Sequence, residues 1–139
     1  MATFNKFNSF VEAVAEKAHN LGSDTLKVLL TNSAPVATNT VKADLTEISA
    51  GNGYTAGGTQ ATQSSSAQSS GTYKLVLADV VFTASGGSIG PFRYAVLYND
   101  TAASDELIGW WDYGSSVTLA SGETFTVDFD GSAGVLTLA

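Results

Sequence analysis

The amino-acid sequence predicts a mainly β fold, a two-sheet antiparallel sandwich or jelly-roll-like domain, with one N-terminal amphipathic helix. Three observations carry this expectation. Apolar residues recur at helical spacing up to Leu21 and at strand spacing from Leu26 onward. The later runs are short and divided by turn pairs such as Gly86-Gly87, Asn99-Asp100, Ser121-Gly122 and Asp130-Gly131, the punctuation of a sandwich or barrel. A chain of 139 residues is an ordinary size for one domain and long enough to bury a core. Residues 1–139 are therefore read as a single domain, with the helix in 1–22 and the β part in 26–139.

The helix rests on Phe4, Phe7, Val11, Val14, Ala15, Ala18 and Leu21, while Lys6, Glu12, Glu16 and Lys17 take the opposite side. Asn5 or Asn8 can cap its start, Ser9 and Glu12 have capping-box spacing, and Gly22 stands where a left-handed residue would end it. Strand residues follow at Leu26–Thr31, then a turn at Asn32–Pro35 and a polar connection to Asp44–Ile48. Residues 49–72 mix glycine with Ser, Thr, Gln and Ala and offer little to bury. A flexible, exposed excursion is expected there, with one poorly specified edge strand near Thr59–Ser66. Strands are predicted at 73–77, 80–83, 93–99, 107–113, 116–119, 124–128 and 135–138. Phe125, Val127 and Phe129 alternate with Thr124, Thr126 and Asp128, and Ala78-Asp79 marks a bulge or corner.

Composition removes much chemistry. The net charge is −7 and the pI near 4.3, so no basic footprint exists for nucleic acid or an anionic membrane surface. No Cys is present and His19 is the single His, which leaves no thiolate nucleophile, no Cys-type zinc site and only one ring for a triad. His19 is read as a cap on the helix C-terminus. A calcium loop starting at Asp128 fails, because its sixth position is Ala133 and its twelfth Ala139; Asp128 and Asp130 read better as a strand end and turn. The pair Asp105 and Glu106 reads as solvated acid. Neither a catalytic function nor a cofactor or metal is expected. The opening residues lack a basic patch followed by an apolar run, and no stretch approaches the ~20 apolar residues of a membrane span. The chain is expected to be made in the cytoplasm and to leave it only by lysis or within a particle.

Aromatic residues are the more informative set. Strand alternation sends Trp110 and Trp111 to opposite faces, so one is expected in the core and the other outward. The outward ring could pack under the N-terminal helix or a loop, anchor an interface, or form a sugar platform. Arg93, the one Arg, shares a face with Ala95 and Leu97 and fits either a bidentate anchor or an edge charge. Candidate interface residues are Trp110, Trp111 and Arg93, together with Phe4, Phe7 and Val11 of the helical stripe.

Three segments carry a resemblance. Asp24–Ala37, Ile89–Asp100, and Leu107-Ile-Gly-Trp-Trp-Asp-Tyr-Gly followed by Gly122–Val127 resemble a family of small virion proteins of tailed bacteriophages. The likeness runs in order over most of the chain. It implies a β-rich structural component of the capsid decoration, or cement, type, which binds the major capsid protein and stabilises the head lattice, commonly as a trimer. No catalytic motif comes with it. A tail or fibre position is the first alternative, and a carbohydrate-binding module using an exposed Trp the second.

Overall fold

The computed structural model describes residues 2–139, and strand is its dominant element, with antiparallel pairing throughout. Two N-terminal elements, β1 (Asn5–Lys6) and the helix α1 (Ser9–Ala15), precede β2 (Leu26–Thr31). Then follow β3 (Thr59–Ala61), β4 (Gln63–Ser69), β5 (Thr72–Leu77) and β6 (Val80–Thr83). The chain ends with β7 (Ile89–Asn99), β8 (Leu107–Leu119), β9 (Thr124–Val127) and β10 (Leu136–Leu138). A five-stranded sheet has the order β1-β8-β7-β2-β3. The opposing layer is divided into a three-stranded sheet, β10-β5-β4, and a two-stranded sheet, β6-β9. The division falls at Ala78-Asp79, the corner expected from sequence, where the Asp79 carboxylate accepts the Phe129 N–H at 2.9 Å.

The main core lies between the layers. Leu26, Val28 and Leu30 of β2 and Ala95 and Leu97 of β7 meet Leu75, Leu77, Val80 and Phe82 of the opposing layer. The five-stranded sheet is also buried on its other face, where Phe7, Leu29, Val96, Tyr98 and Leu107 form a smaller cluster. This explains why β2 reads as a nearly continuous apolar run, since both of its faces are covered.

The long helix of the sequence reading is not formed. Asn5 and Lys6 pair with Trp110 and Gly109 of β8, and the Phe7 N–H reaches the Ile108 carbonyl at 3.2 Å. Asn, Phe and Thr are weak helix formers, and pairing with β8 places Phe7 fully inside the second cluster. Asn8 occupies the N-cap position without a side-chain hydrogen bond. The helix ends in a Schellman motif: the Ala18 N–H bonds the Ala13 carbonyl at 2.8 Å and the Lys17 N–H that of Val14 at 3.3 Å. Lys17, with φ of 69°, takes the left-handed position expected of Gly22. In so short a helix Phe10 and Val14 turn inward, and Val11 is 52% exposed.

The glycine-rich excursion is also ordered, contrary to expectation. Its edge-strand part was legible, but both β3 and β4 are paired, with β2 and β5 respectively. Tyr54 is buried, accepts the Leu30 N–H at 3.0 Å and donates to Glu47 at 2.7 Å. Glu47 also accepts the Gly57 N–H at 2.6 Å, and Tyr98 donates to the Gly57 carbonyl at 2.6 Å. Burial holds both phenols protonated, well above the usual tyrosine range. Hydrogen bonds and a few close contacts thus order a segment that has few apolar side chains.

His19 is buried rather than at a helix end, which rules out the capping role. The Asn99 amide oxygen accepts the Thr101 and Ala102 N–H groups, which fixes the flip of the amide, so its nitrogen donates to His19 Nδ1 at 3.0 Å. The ring proton is therefore on Nε2, which has no partner among the described residues. Burial lowers the His19 pKa, with Glu106 and Asp24 opposing in part. The folded chain thus takes up this proton at lower pH than the unfolded chain, so stability falls as pH drops below the ordinary histidine value near 6.5. Melting temperature is expected to decrease from pH 7.5 to 5.5, and His19→Gln should flatten that slope. An unchanged slope in the variant would remove His19 from the account.

Candidate functional site

The longest ladder, β7 with β8, carries a large irregularity, and the candidate site is built on it. Phe92 pairs with Val117 and Tyr94 with Asp112, so four residues of β8, Tyr113 to Ser116, stand opposite the single residue Arg93. A bulge of this kind bends its strand and re-aims side chains. Asp112 holds it together. Its carboxylate accepts the Gly114 N–H at 2.8 Å, and it receives Arg93 Nε at 2.8 Å and Nη2 at 3.0 Å. Gly114 sits at φ of 100°, open to solvent, a conformation that an L side chain would strain. The Arg93 guanidinium, followed by the Gly114 N–H, holds the Asp112 carboxyl below the usual carboxylate range.

Beside the bulge opens a recess of about 280 Å³ between β7, β8 and β9. Phe92, Ala95, Trp111, Phe125 and Val127 give it an apolar floor, and Arg93, Tyr113 and Asp128 form the rim. Its rings pack at angles to one another. Phe125 meets Phe92 at 4.9 Å and 77°, and Tyr113 at 5.3 Å and 72°. These edge-to-face pairs are a favourable aromatic geometry and hold the rings in place. Tyr113 is 57% exposed, the most exposed of the large apolar side chains in this part of the surface. The alternation expected for β9 is present, with Val127 and Phe129 buried and Thr124, Thr126 and Asp128 exposed.

Trp110 and Trp111 do lie on opposite faces, but the division into one core and one outward ring does not hold, because both are half-buried. Trp110 packs on Phe7 at 4.5 Å in the second cluster. Trp111 lies at the open end of the main core, 5.3 Å from Phe4 and 5.4 Å from Phe129. The sheet is covered on both faces, so each indole has found rings of its own chain. Of the six residues expected at an interface, Trp111 and Arg93 line the recess, and Phe4 backs Trp111. Phe7 has no exposed surface and cannot meet a partner, and Val11 is exposed but on α1, outside the recess. Arg93 is bidentate, as one reading of it required, and its partner is Asp112 of its own chain.

Tyr113, Phe125 and Phe92 are the site residues that pattern reasoning did not select. The signal available was Asp112-Tyr-Gly114, an acid two residues before a glycine, which is turn chemistry inside an apparent strand. Asp130, once weighed for calcium, accepts the Ser132 and Ala133 N–H groups at 2.8 and 2.7 Å in a turn. No group of three or more His, Asp or Glu residues among those described is placed to hold a metal ion. No helix among them is long and apolar enough to cross a membrane. No protein-family model, curated protein or solved structure matches the chain.

Proposed function

We infer that this chain is a structural protein of a bacteriophage virion, of the capsid decoration type, and that it binds the major capsid protein through the recess beside the β8 bulge. The observation that supports a binding role is a rigid apolar recess with an exposed aromatic at its rim. Apolar anchors seated in well-packed pockets supply most of the energy of protein interfaces, with Tyr and Arg prominent among them. A volume of about 280 Å³ lies just below the ~300 to 1,000 Å³ of small-ligand pockets and is suited to receiving a side chain of a protein neighbour. The role in a virion rests on the resemblance of three segments of the sequence, and the acidic surface would keep free copies apart before assembly. A sugar platform is less well supported, because such a site needs a flat ring with a free face and both indoles pack against rings of their own chain.

Tyr113→Ala should fold with little change in melting temperature, since the ring is largely exposed. Its occupancy on particles should fall about 30-fold at limiting concentration, the equivalent of an anchor worth about 2 kcal/mol. Particles that lack the protein should burst more readily on heating. Full occupancy by the variant would overturn the recess as the contact. Electron microscopy that located the protein on the tail would overturn the decoration role in favour of a tail component.

A further inference from the structure

We propose that the outer edge of β4 pairs with β4 of a second copy of this chain, antiparallel and across a two-fold axis near Ala67. This contact is separate from the recess and does not depend on the role inferred for it.

The argument begins with the edge itself. Strand β4 has seven residues and lies at the end of the sheet β10-β5-β4, with β5 on one side. The other edge strands of the molecule are shorter, from two residues in β1 to four in β6 and β9. Exposed edges are usually blunted by charge, proline, brevity or a bulge. Gln63-Ser-Ser-Ser-Ala-Gln-Ser69 has no charge and no proline, and its register shift falls between Gln63 and Ser65, leaving Ser65–Ser69 regular. Five of its seven residues, Ser64, Ser65, Ala67, Gln68 and Ser69, are exposed.

Its hydrogen-bonding pattern follows from the hairpin. Ser70 and Gly71, at φ of 51° and 83°, form a two-residue turn flanked by the pair Ser69 and Thr72. That pair is hydrogen-bonded, and antiparallel pairs alternate, so Ser65, Ala67 and Ser69 face β5 with their N–H and C=O groups. Ser66 and Gln68 turn theirs outward, and among the described residues no backbone group reaches them. Placing the axis at Ala67 sets Ser66 opposite Gln68 of the second copy, and Gln68 opposite its Ser66. Each pair exchanges two backbone hydrogen bonds, and no side chain in the contact is larger than Gln.

The register selects a second copy as the occupant, because the outward groups of Ser66 and Gln68 are complementary to those of the same strand across a two-fold axis. Two copies at −7 each repel, and β4 itself carries no charge, with Lys74 beside it as the cross-strand partner of Ala67. The pairing is isologous and closes on itself as a dimer, unlike the trimer that the resemblance implies.

Ala67→Glu tests the contact. Within one copy Ala67 pairs with Lys74, so the new carboxylate gains a cross-strand partner and the fold is retained. At the two-fold axis two carboxylates would face each other. Sedimentation should give twice the 14.3 kDa mass for the wild type and a monomer for Ala67→Glu, with a dissociation constant at least tenfold higher. Amide exchange at Ser66 and Gln68 should quicken in the variant while Ser65 and Ala67 stay protected. A wild type that stays monomeric at hundreds of micromolar, or an oligomer unaffected by Ala67→Glu, would overturn the proposal.

Discussion

Phe7→Ala is expected to destabilise the chain by about 3–5 kcal/mol, the range for removing a buried phenylalanine, and to lower its melting temperature by more than about 10 °C. The side chain has no exposure and meets Trp110 at 4.5 Å, so its loss opens a void that the rigid β strands around it cannot close. Val11→Ala provides the comparison. On a helix running from Phe4 to Leu21 these two residues would share one stripe, and their removal would have similar effects. Here Val11 is half exposed, and its truncation should cost less than about 0.5 kcal/mol. Denaturant titration of the two variants separates the arrangements, and equal losses would restore the helix.

The reason that the N-terminus misled is visible in those residues. Phe4 and Phe7 are three apart, which suits a helix, but Phe4 packs on Trp111 and Phe7 on Trp110, on opposite faces of the five-stranded sheet. A residue spacing records which side chains are apolar and not which surface receives them. Where the partner surface was the chain's own neighbouring strand, the reading was accurate. Both β2 and β6 span the residues expected of them, and β9 differs by a single residue. The segments 107–113 and 116–119 form one strand, β8, because the bulge held by Asp112 interrupts the pattern of side chains but not the strand. Likewise Gly90-Pro91 lies within β7 beside a register shift, although glycine and proline are turn residues.

The candidate site was legible only in part, for the same reason. Trp111 and Arg93 stood out as residue types, and both line the recess. Tyr113 is exposed because four residues of β8 face one residue of β7, a mismatch between strands that no single segment records. Opposing strands must be known before such a bulge can be placed. The Asp112 carboxylate, which ties the bulge to Arg93, likewise reads in isolation as ordinary surface acid.

Gly58→Ala is expected to cost more than about 4 kcal/mol, or to prevent folding, although it lies in the segment that seemed least able to hold a structure. Gly58 has φ of 81°, and a methyl group on it would run into the Val28 carbonyl. The left-handed backbone alone accounts for about 1–2 kcal/mol. The remainder comes from displacing β3, whose Thr59, Gln60 and Ala61 pair with Val28, Lys27 and Leu26 and bury Ala61. Gly71→Ala isolates the first contribution. Its φ of 83° is nearly the same, but an added methyl group there meets nothing within 4 Å. It should lose only the 1–2 kcal/mol of backbone strain, about. Amide exchange should agree, with protection of Ala61 close to that of Val28, because both belong to the β2–β3 ladder and both are fully buried. Equal stability losses in the two glycine variants, or rapid exchange at Ala61, would mean that the excursion does not close against β2. If Gly58→Ala is the more costly, the ordering of this segment comes from the approach of its backbone to β2 and from the Tyr54, Glu47 and Tyr98 hydrogen bonds, and a count of its apolar side chains could not have revealed it.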